Sequence, residues 1–188
     1  MTKIYLSVGA NIGDRARNIR RAILALGAHR PVAPGTGPSP LPSGIGPGLR
    51  VTRVSSLYET EPVELLKQPW FLNCVVEAET EWKPQQVMDL LLRIERGMGR
   101  ERSVPKGPRV IDVDILFFGS RLVHQAGLQI PHPRMAERRF VLVPLAEIAA
   151  GVRHPVLKKT IAELLAETTD QSVVRLWEQG DLTAGEHR

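Results

Sequence analysis

The sequence predicts an α+β fold of the ferredoxin-like type, a βαββαβ core with helices layered against an antiparallel sheet, followed by extra C-terminal elements. Three observations carry this prediction. Apolar residues alternate with polar ones or run continuously in "KIYLSVG", "LRVTRVSSLYET", "WFLNCVVEAET" and "VIDVDILFF", the patterns of half-buried and fully buried strands. Apolar residues recur at helical spacing at Ala16, Ile19, Ile23 and Leu26, and again at Val87, Leu91, Ile94 and Met98. The first helix falls between the first two strands and the second between the third and fourth.

Each element has a local cause. The strand "KIYLSVG" ends at Gly9, and Asp14 in "NIGD" is placed to cap the helix that follows. Arg15, Arg17, Arg20 and Arg21 occupy the other side of that helix and read, for the most part, as a solvated basic face. The segment 31–48 is crowded with proline and glycine, which excludes a helix or central strand and predicts a surface insertion. "LRVTRVSSLYET" reads as one strand and "WFLNCVVEAET" as the next. Pro84 suits the first turn of the second helix. "VIDVDILFF" reads as a central strand, with Gly119-Ser120 a hairpin turn after it. "LQIPHPRM" is a short strand and turn, "AERRFVLVPLAEIA" a helix interrupted at Pro144, "TIAELLAET" a last helix and "SVVRLWEQ" a last strand. Residues 1–180 are expected to form a single domain and 181–188 a disordered tail.

Composition narrows the function classes. Among 188 residues, 43% are hydrophobic and 24% charged, as in soluble globular proteins. The net charge of +5 favours an acidic partner, while aromatics at 5% argue against base stacking on nucleic acid. The lone cysteine, Cys74, allows neither a disulfide framework nor a zinc cluster. No segment reads as a signal peptide or a membrane span, so a cytoplasmic protein without membrane partners is expected.

The stretch "GPRVIDVDILFFG" carries the chemistry. Asp112 and Asp114 are two apart on a strand, so they share a face at a backbone separation of about 6.6 Å. Ile111, Val113, Ile115 and Phe117 take the other face, and Val110, Leu116 and Phe118 flank the acids. Two like charges about 5 Å apart repel by about 3 kcal/mol at an effective dielectric of about 20. A hard divalent cation offsets that through oxygen ligands, and magnesium leaves positions for water and phosphate. A bare D-x-D also occurs in glycosyltransferases, in nucleotidyltransferases and on solvent-facing strands, so the spacing alone leaves its role open. The basic residues Arg100, Arg102, Lys106 and Arg109 just upstream supply what a polyphosphate needs beside such a site.

The motifs "YLSVGANIGD", "SSLYETEPVE", "QPWFLN", "GPRVIDVDILFFG" and "IPHPRMAERRFVLVPLAEI" together resemble, in order from Lys3 to about Ile148, the 6-hydroxymethyl-7,8-dihydropterin pyrophosphokinases of folate biosynthesis. The resemblance implies a monomeric enzyme that binds ATP and two magnesium ions, moves the terminal diphosphate onto the pterin hydroxymethyl group and releases AMP. It implies that Asp112 and Asp114 hold the metal, and that Arg100 and Arg102 act catalytically from a mobile loop. By the same resemblance Glu95, Arg100, Arg109, Ile115, His132 and Arg138 belong to the ATP site. Gly9, Asn11, Thr60, Pro62, Val63, Phe71, Asn73 and Phe140 belong to the pterin site, with Phe71 and Phe140 sandwiching the ring and Asn73 reading its edge. The residues agree: a flat heteroaromatic ring needs stacking surfaces and amide partners, and Phe71 and Asn73 share a strand face.

Some positions depart from the family's pattern. Lys106 stands where an aromatic is common, Ala136 where a histidine is common and Glu64 where a glycine is common. The rival readings are an RNA-binding module, which would carry aromatics rather than Asp112 and Asp114 on its central strand, and a nucleotidyltransferase, which would release pyrophosphate instead of AMP.

Overall fold

The computed structural model describes residues 1–27, 48–63, 65–99 and 107–178. The insertion expected at 31–48 (Gly48 apart), the departures at Glu64 and Lys106, the catalytic candidates Arg100 and Arg102, and the tail expected at 181–188 lie outside the described residues. In chain order the elements are β1 (Thr2–Ala10), α1 (Arg15–Gly27), β2 (Arg50–Val54), β3 (Tyr58–Thr60), β4 (Phe71–Thr80), α2 (Pro84–Gly97), β5 (Asp112–Phe118), β6 (Val123–Gln125), β7 (Leu128–Ile130), a 3-10 turn (Met135–Glu137), α3 (Arg139–Ala149), α4 (Ile161–Glu167) and β8 (Val174–Leu176).

β1 and β4 form the centre of an antiparallel sheet ordered β5-β1-β4-β3-β8, with β2 also paired to β4 and β6-β7 a separate hairpin. Both faces are covered. Ile4, Leu6 and Val8 of β1 pack with Leu72, Cys74 and Val76 of β4 against the stripes of α1 and α2. On the other face Tyr5, Val75, Leu116 and Phe117 pack against Val141, Leu142, Leu145 and Ile148 of α3 and Leu164 of α4. This is the expected α+β architecture. The Asp14 cap forms as expected, its Oδ1 accepting from the Arg17 N–H at 2.9 Å.

The structure corrects several expectations. The second predicted strand is two, β2 and β3, because buried Ser55 breaks the run. Its N–H donates to the Val75 carbonyl, and its hydroxyl accepts from the Val75 N–H and donates to the Ser56 carbonyl; a short polar side chain thus competes with the ladder. β5 is an edge strand, not a central one. Its apolar run reflects cover by α2 and by β7, whose Leu128 and Ile130 join the core. Glu95 of α2 accepts the Val113 N–H at 2.8 Å, satisfying a donor on the open edge. A β-bulge lies within β5: Tyr5 pairs with Phe117 and Leu6 with Ile115, so Leu116 is an extra residue. Phe117 therefore packs edge-on to Tyr5 on the α3 face, and Phe118 joins the α1/α2 core, reversing the alternation the sequence implied for these two.

Gly119, at φ +54°, turns the chain away from the sheet, and the hairpin itself comes later, between β6 and β7 at Ala126-Gly127. α3 runs unbroken through Pro144, which costs one backbone hydrogen bond. Its C-terminal half is held from outside: Glu147 accepts from the Ser56 N–H, the Ser56 hydroxyl and the Tyr58 hydroxyl, and Arg53 donates to the Ile148 carbonyl at 2.6 Å. Arg15 is not part of a solvated face, since its guanidinium donates to the Trp70 carbonyl and to Glu59. No helix among the described residues is long and apolar enough to cross a membrane.

Candidate active site

The register of three strands builds the floor. Asp112 lies opposite Gly9, Gly9 opposite Asn73, and Asn73 opposite Tyr58; one row along, Asp114 lies opposite Ser7 and Ser7 opposite Val75. Residues directly opposed on a sheet point to one face, so the acids and the asparagine stand together beneath α3. Adjacent strands are about 4.8 Å apart, which places Asp112 and Asn73 about 10 Å from each other across a glycine. They line a cavity of about 230 Å³ together with Thr60, Pro62, Val63, Phe71, Arg109, His132, Arg138 and Phe140.

At one end Asn73, 4% exposed, donates from Nδ2 to Thr60 Oγ1 at 2.7 Å. A Cβ at position 9 would stand 2.4 Å from Asn73 Oδ1; only glycine leaves that amide its place. At the other end Arg109 donates to Asp112 Oδ2 at 2.6 Å, with both side chains 21% exposed. Charges this sheltered attract more strongly than on an open surface, so Arg109 offsets part of the repulsion within the acid pair.

Two aromatics join these ends. The Arg109 guanidinium lies 5.9 Å from the Phe71 ring centre, and that of Arg138 lies 5.6 Å from the Phe140 ring centre. Each ring therefore has a cation beside it, and both rings line the cavity. His132 follows β7; its N–H donates to the Leu116 carbonyl, and its Nδ1 accepts the Arg134 N–H at 3.2 Å. Burial, reinforced by Arg138, pushes its pKa down to about 4 against the pull of Asp112. His132 is therefore neutral at neutral pH. With Nδ1 occupied as an acceptor its proton sits on Nε2, which makes it a donor.

Three expected site residues do not line this cavity. Asn11 is 2% exposed and absent from the lining. Its Oδ1 accepts the Arg109 N–H, and its Nδ2 donates to Gln68 and to the Pro69 carbonyl, so it ties together the two loops that frame the cavity. Glu95 is buried and braces β5 from α2, and Ile115 is in the α1/α2 core, on the face away from the acids. Arg100 and Arg102 lie outside the described residues. Conversely Ser7, Glu61, Gln68, Leu116 and Val141 line the cavity and were not anticipated. Ser7 had a signal: it is two residues from Gly9 on a strand, hence on the same face. Val141 had none, because it depends on how α3 lies on the sheet.

The acid pair fits magnesium. Among the described residues no group of three or more His, Cys, Asp and Glu side chains could hold a metal, so an all-protein cage is absent there. Two hard carboxylates facing a cavity with arginines suit a cation that brings its remaining ligands as water and phosphate oxygens.

Comparison with known proteins assigns the chain to a family. The model of the 7,8-dihydro-6-hydroxymethylpterin-pyrophosphokinase family (HPPK) matches residues 5–150. The chain belongs to this family. The 2-amino-4-hydroxy-6-hydroxymethyldihydropteridine pyrophosphokinase of Bacillus subtilis (strain 168) is 40% identical over 175 residues, covering 93% of this chain and 90% of that protein. The protein of the same name from Methylorubrum extorquens is 37% identical over 176 residues, covering 94% and 99%. The crystal structure of an HPPK-DHPS in complex with substrates superposes with a TM-score of 0.63 at 15% identity, covering 88% of this chain. This chain spans 43% of that one, and the likeness speaks for the fold alone. As a member of the HPPK family, the enzyme transfers a pyrophosphoryl group to hydroxymethyldihydropterin in folate biosynthesis, with ATP as co-substrate.

Proposed function

We propose that the cavity binds the pterin at its Asn73 end and the ATP polyphosphate at its Asp112 end, so that the pterin hydroxyl attacks the β-phosphorus in line and AMP leaves. The observation that carries this reading is the single sheet row Asp112–Gly9–Asn73: the Asp112 carboxylate and the Asn73 amide share one floor about 10 Å apart, with Asp114 one row along. Phe71 and Phe140 hold the ring between them, while Thr60, Pro62 and Val63 close that end. Thr60 fixes the orientation of the Asn73 amide. Arg109 and Arg138 draw in the phosphates, and neutral His132 adds a donor without adding charge.

Asp112 and Asp114 would hold two magnesium ions. When bound, magnesium neutralises polyphosphate charge and lowers the pKa of a coordinated hydroxyl. The chain's own part is mostly positioning: phosphoryl transfer asks for alignment and charge compensation rather than covalent chemistry. Arg100 and Arg102, outside the described residues, add their positive charge to the set that neutralises the diphosphate. The enzyme works as a cytoplasmic monomer on small molecules, without nucleic acid.

The test is AMP release from ATP, measured with and without hydroxymethyldihydropterin and with and without magnesium. The reading requires AMP only when all are present. Release of pyrophosphate would indicate nucleotidyl transfer and overturn it. Arg100→Ala should lower turnover strongly with pterin affinity little changed; weakened pterin binding alone would remove Arg100 from this role.

A further inference from the structure

α3 begins at the cavity. Its first turn carries Phe140 and follows directly on Arg138. The residue at the cap position, Arg138, makes no capping bond through its side chain, so the first helical N–H groups need partners from elsewhere. The Arg139 N–H finds one far along the chain: Asp170 Oδ2 accepts it at 2.7 Å. The other oxygen of the same carboxylate accepts the Ser172 N–H at 2.8 Å. Directly after this, Val173 and Glu61 bond reciprocally, the Glu61 N–H to the Val173 carbonyl and the Val173 N–H to Glu61 Oε1. Val174 then pairs with Thr60, whose hydroxyl accepts from Asn73. A short run from Asp170 to Val174 thus joins the start of α3, with Arg138 and Phe140, to the strand bearing Thr60, all three residues lining one cavity.

Asp170 is half-buried. That burial works against its charge, yet the Arg139 and Ser172 N–H donors outweigh it and hold the carboxyl below its ordinary range. A negative charge at the start of a helix is also favoured by the helix dipole.

We propose that Asp170 is a positioning residue for the transfer reaction. Its carboxylate fixes the first turn of α3, and with it Arg138 and Phe140, against the Thr60 wall, so that both substrates meet a slot already set to width. The proposal rests on the assignment of Arg138 to the phosphates and Phe140 to the pterin ring. It differs from a purely structural role because the segment it anchors is a cavity wall rather than a distant helix. Loss of the cap lowers the fraction of molecules with a formed slot, and apparent affinity falls with that fraction.

The experiment measures binding of hydroxymethyldihydropterin and of a nonhydrolysable ATP analogue with magnesium, well below every variant's unfolding midpoint. Asp170→Ala should weaken both by about fivefold, the equivalent of losing one helix cap. Asp170→Asn, which keeps an acceptor oxygen, should fall in between and guards against an alanine variant that fails to fold. As a control, Glu163→Ala removes the acceptor for the Thr160 N–H at the cap of α4, a helix with no residue in the cavity. It should lower the melting midpoint and leave both affinities alone. In the double variant with Phe140→Ala, the loss of pterin affinity should be less than the sum of the single losses, because one residue acts through the other. Wild-type binding in Asp170→Ala, or strictly additive losses, overturns the proposal. If Arg138→Ala and Phe140→Ala themselves bind like wild type, the site assignment falls and takes this inference with it. Unchanged binding in Asp170→Ala beside weakened binding in those two sinks the inference alone.

Discussion

Val113 and Ile115 of β5 are 3% exposed and packed against α1 and α2, while Asp112 and Asp114, alternating with them, stand at the cavity beneath α3. The α1/α2 face is sealed by apolar side chains. The α3 face near the strand ends holds two acids, an amide, a glycine and a serine on the same three strands. A period of two lets one strand serve both purposes, since stability and chemistry sit on opposite sides of the same backbone. Substitutions on the two faces should therefore separate cleanly into losses of activity and losses of stability.

The largest effect expected is on the cavity face. Asp114→Ala should lower turnover by about 10³-fold or more, with a melting midpoint unchanged or raised, because it relieves repulsion with Asp112. A parallel collapse of stability, measured by thermal unfolding, would break the separation. Next is Phe118→Ala on the sealed face, where the ring is fully buried. It should cost about 3–5 kcal/mol in denaturant unfolding while the folded fraction keeps wild-type Michaelis constants for both substrates. Gly9→Ala tests the point where the faces meet. The new methyl collides with Asn73 Oδ1, so the Michaelis constant for the pterin should rise by about tenfold and that for ATP should stay nearly constant. Equal changes in both would show that the collision spreads through the floor.

The smallest effect concerns pH. His154, in the turn before α4, packs edge-on to Phe117 and accepts the Val156 and Leu157 N–H groups at Nδ1. Burial lowers its pKa from 6.5. With the folded value below the unfolded one, its contribution to stability is complete above the unfolded value and is lost as pH falls through that toward the folded value. His154→Asn keeps an acceptor but does not titrate, so it should flatten part of the fall in stability as pH drops below 6.5. An unaltered slope would remove His154 from that role.

Much of the site was readable because it is local. Asp112, Asp114 and Asn73 sit on strands whose alternation assigns their faces; that β1 lies between β5 and β4, bringing the acids beside the amide, came from the fold. Three expected site residues do not line the cavity, for one common reason. Asn11, Glu95 and Ile115 lie next in sequence to cavity residues or on elements beside the site, yet their side chains point to a loop junction, an open strand edge and the opposite core. The bulge at Leu116, which reverses the faces of Phe117 and Phe118, left no mark in an apolar run where every residue is acceptable on either side. Pro144 suggested a break because local propensity forbids it mid-helix, but packing on the sheet and the bonds from Ser56, Tyr58 and Arg53 hold α3 together.

Alternation, helical periodicity and the D-x-D spacing by themselves determined most of the strands, the first two helices and the shared face of Asp112 and Asp114, because those patterns follow from backbone geometry alone. Which strand forms the edge, how β5 shifts register and how Asp170 reaches back to the start of α3 were decided by the tertiary structure. Each depends on hydrogen-bond partners distant in the chain, and no local pattern specifies a partner that only folding brings near.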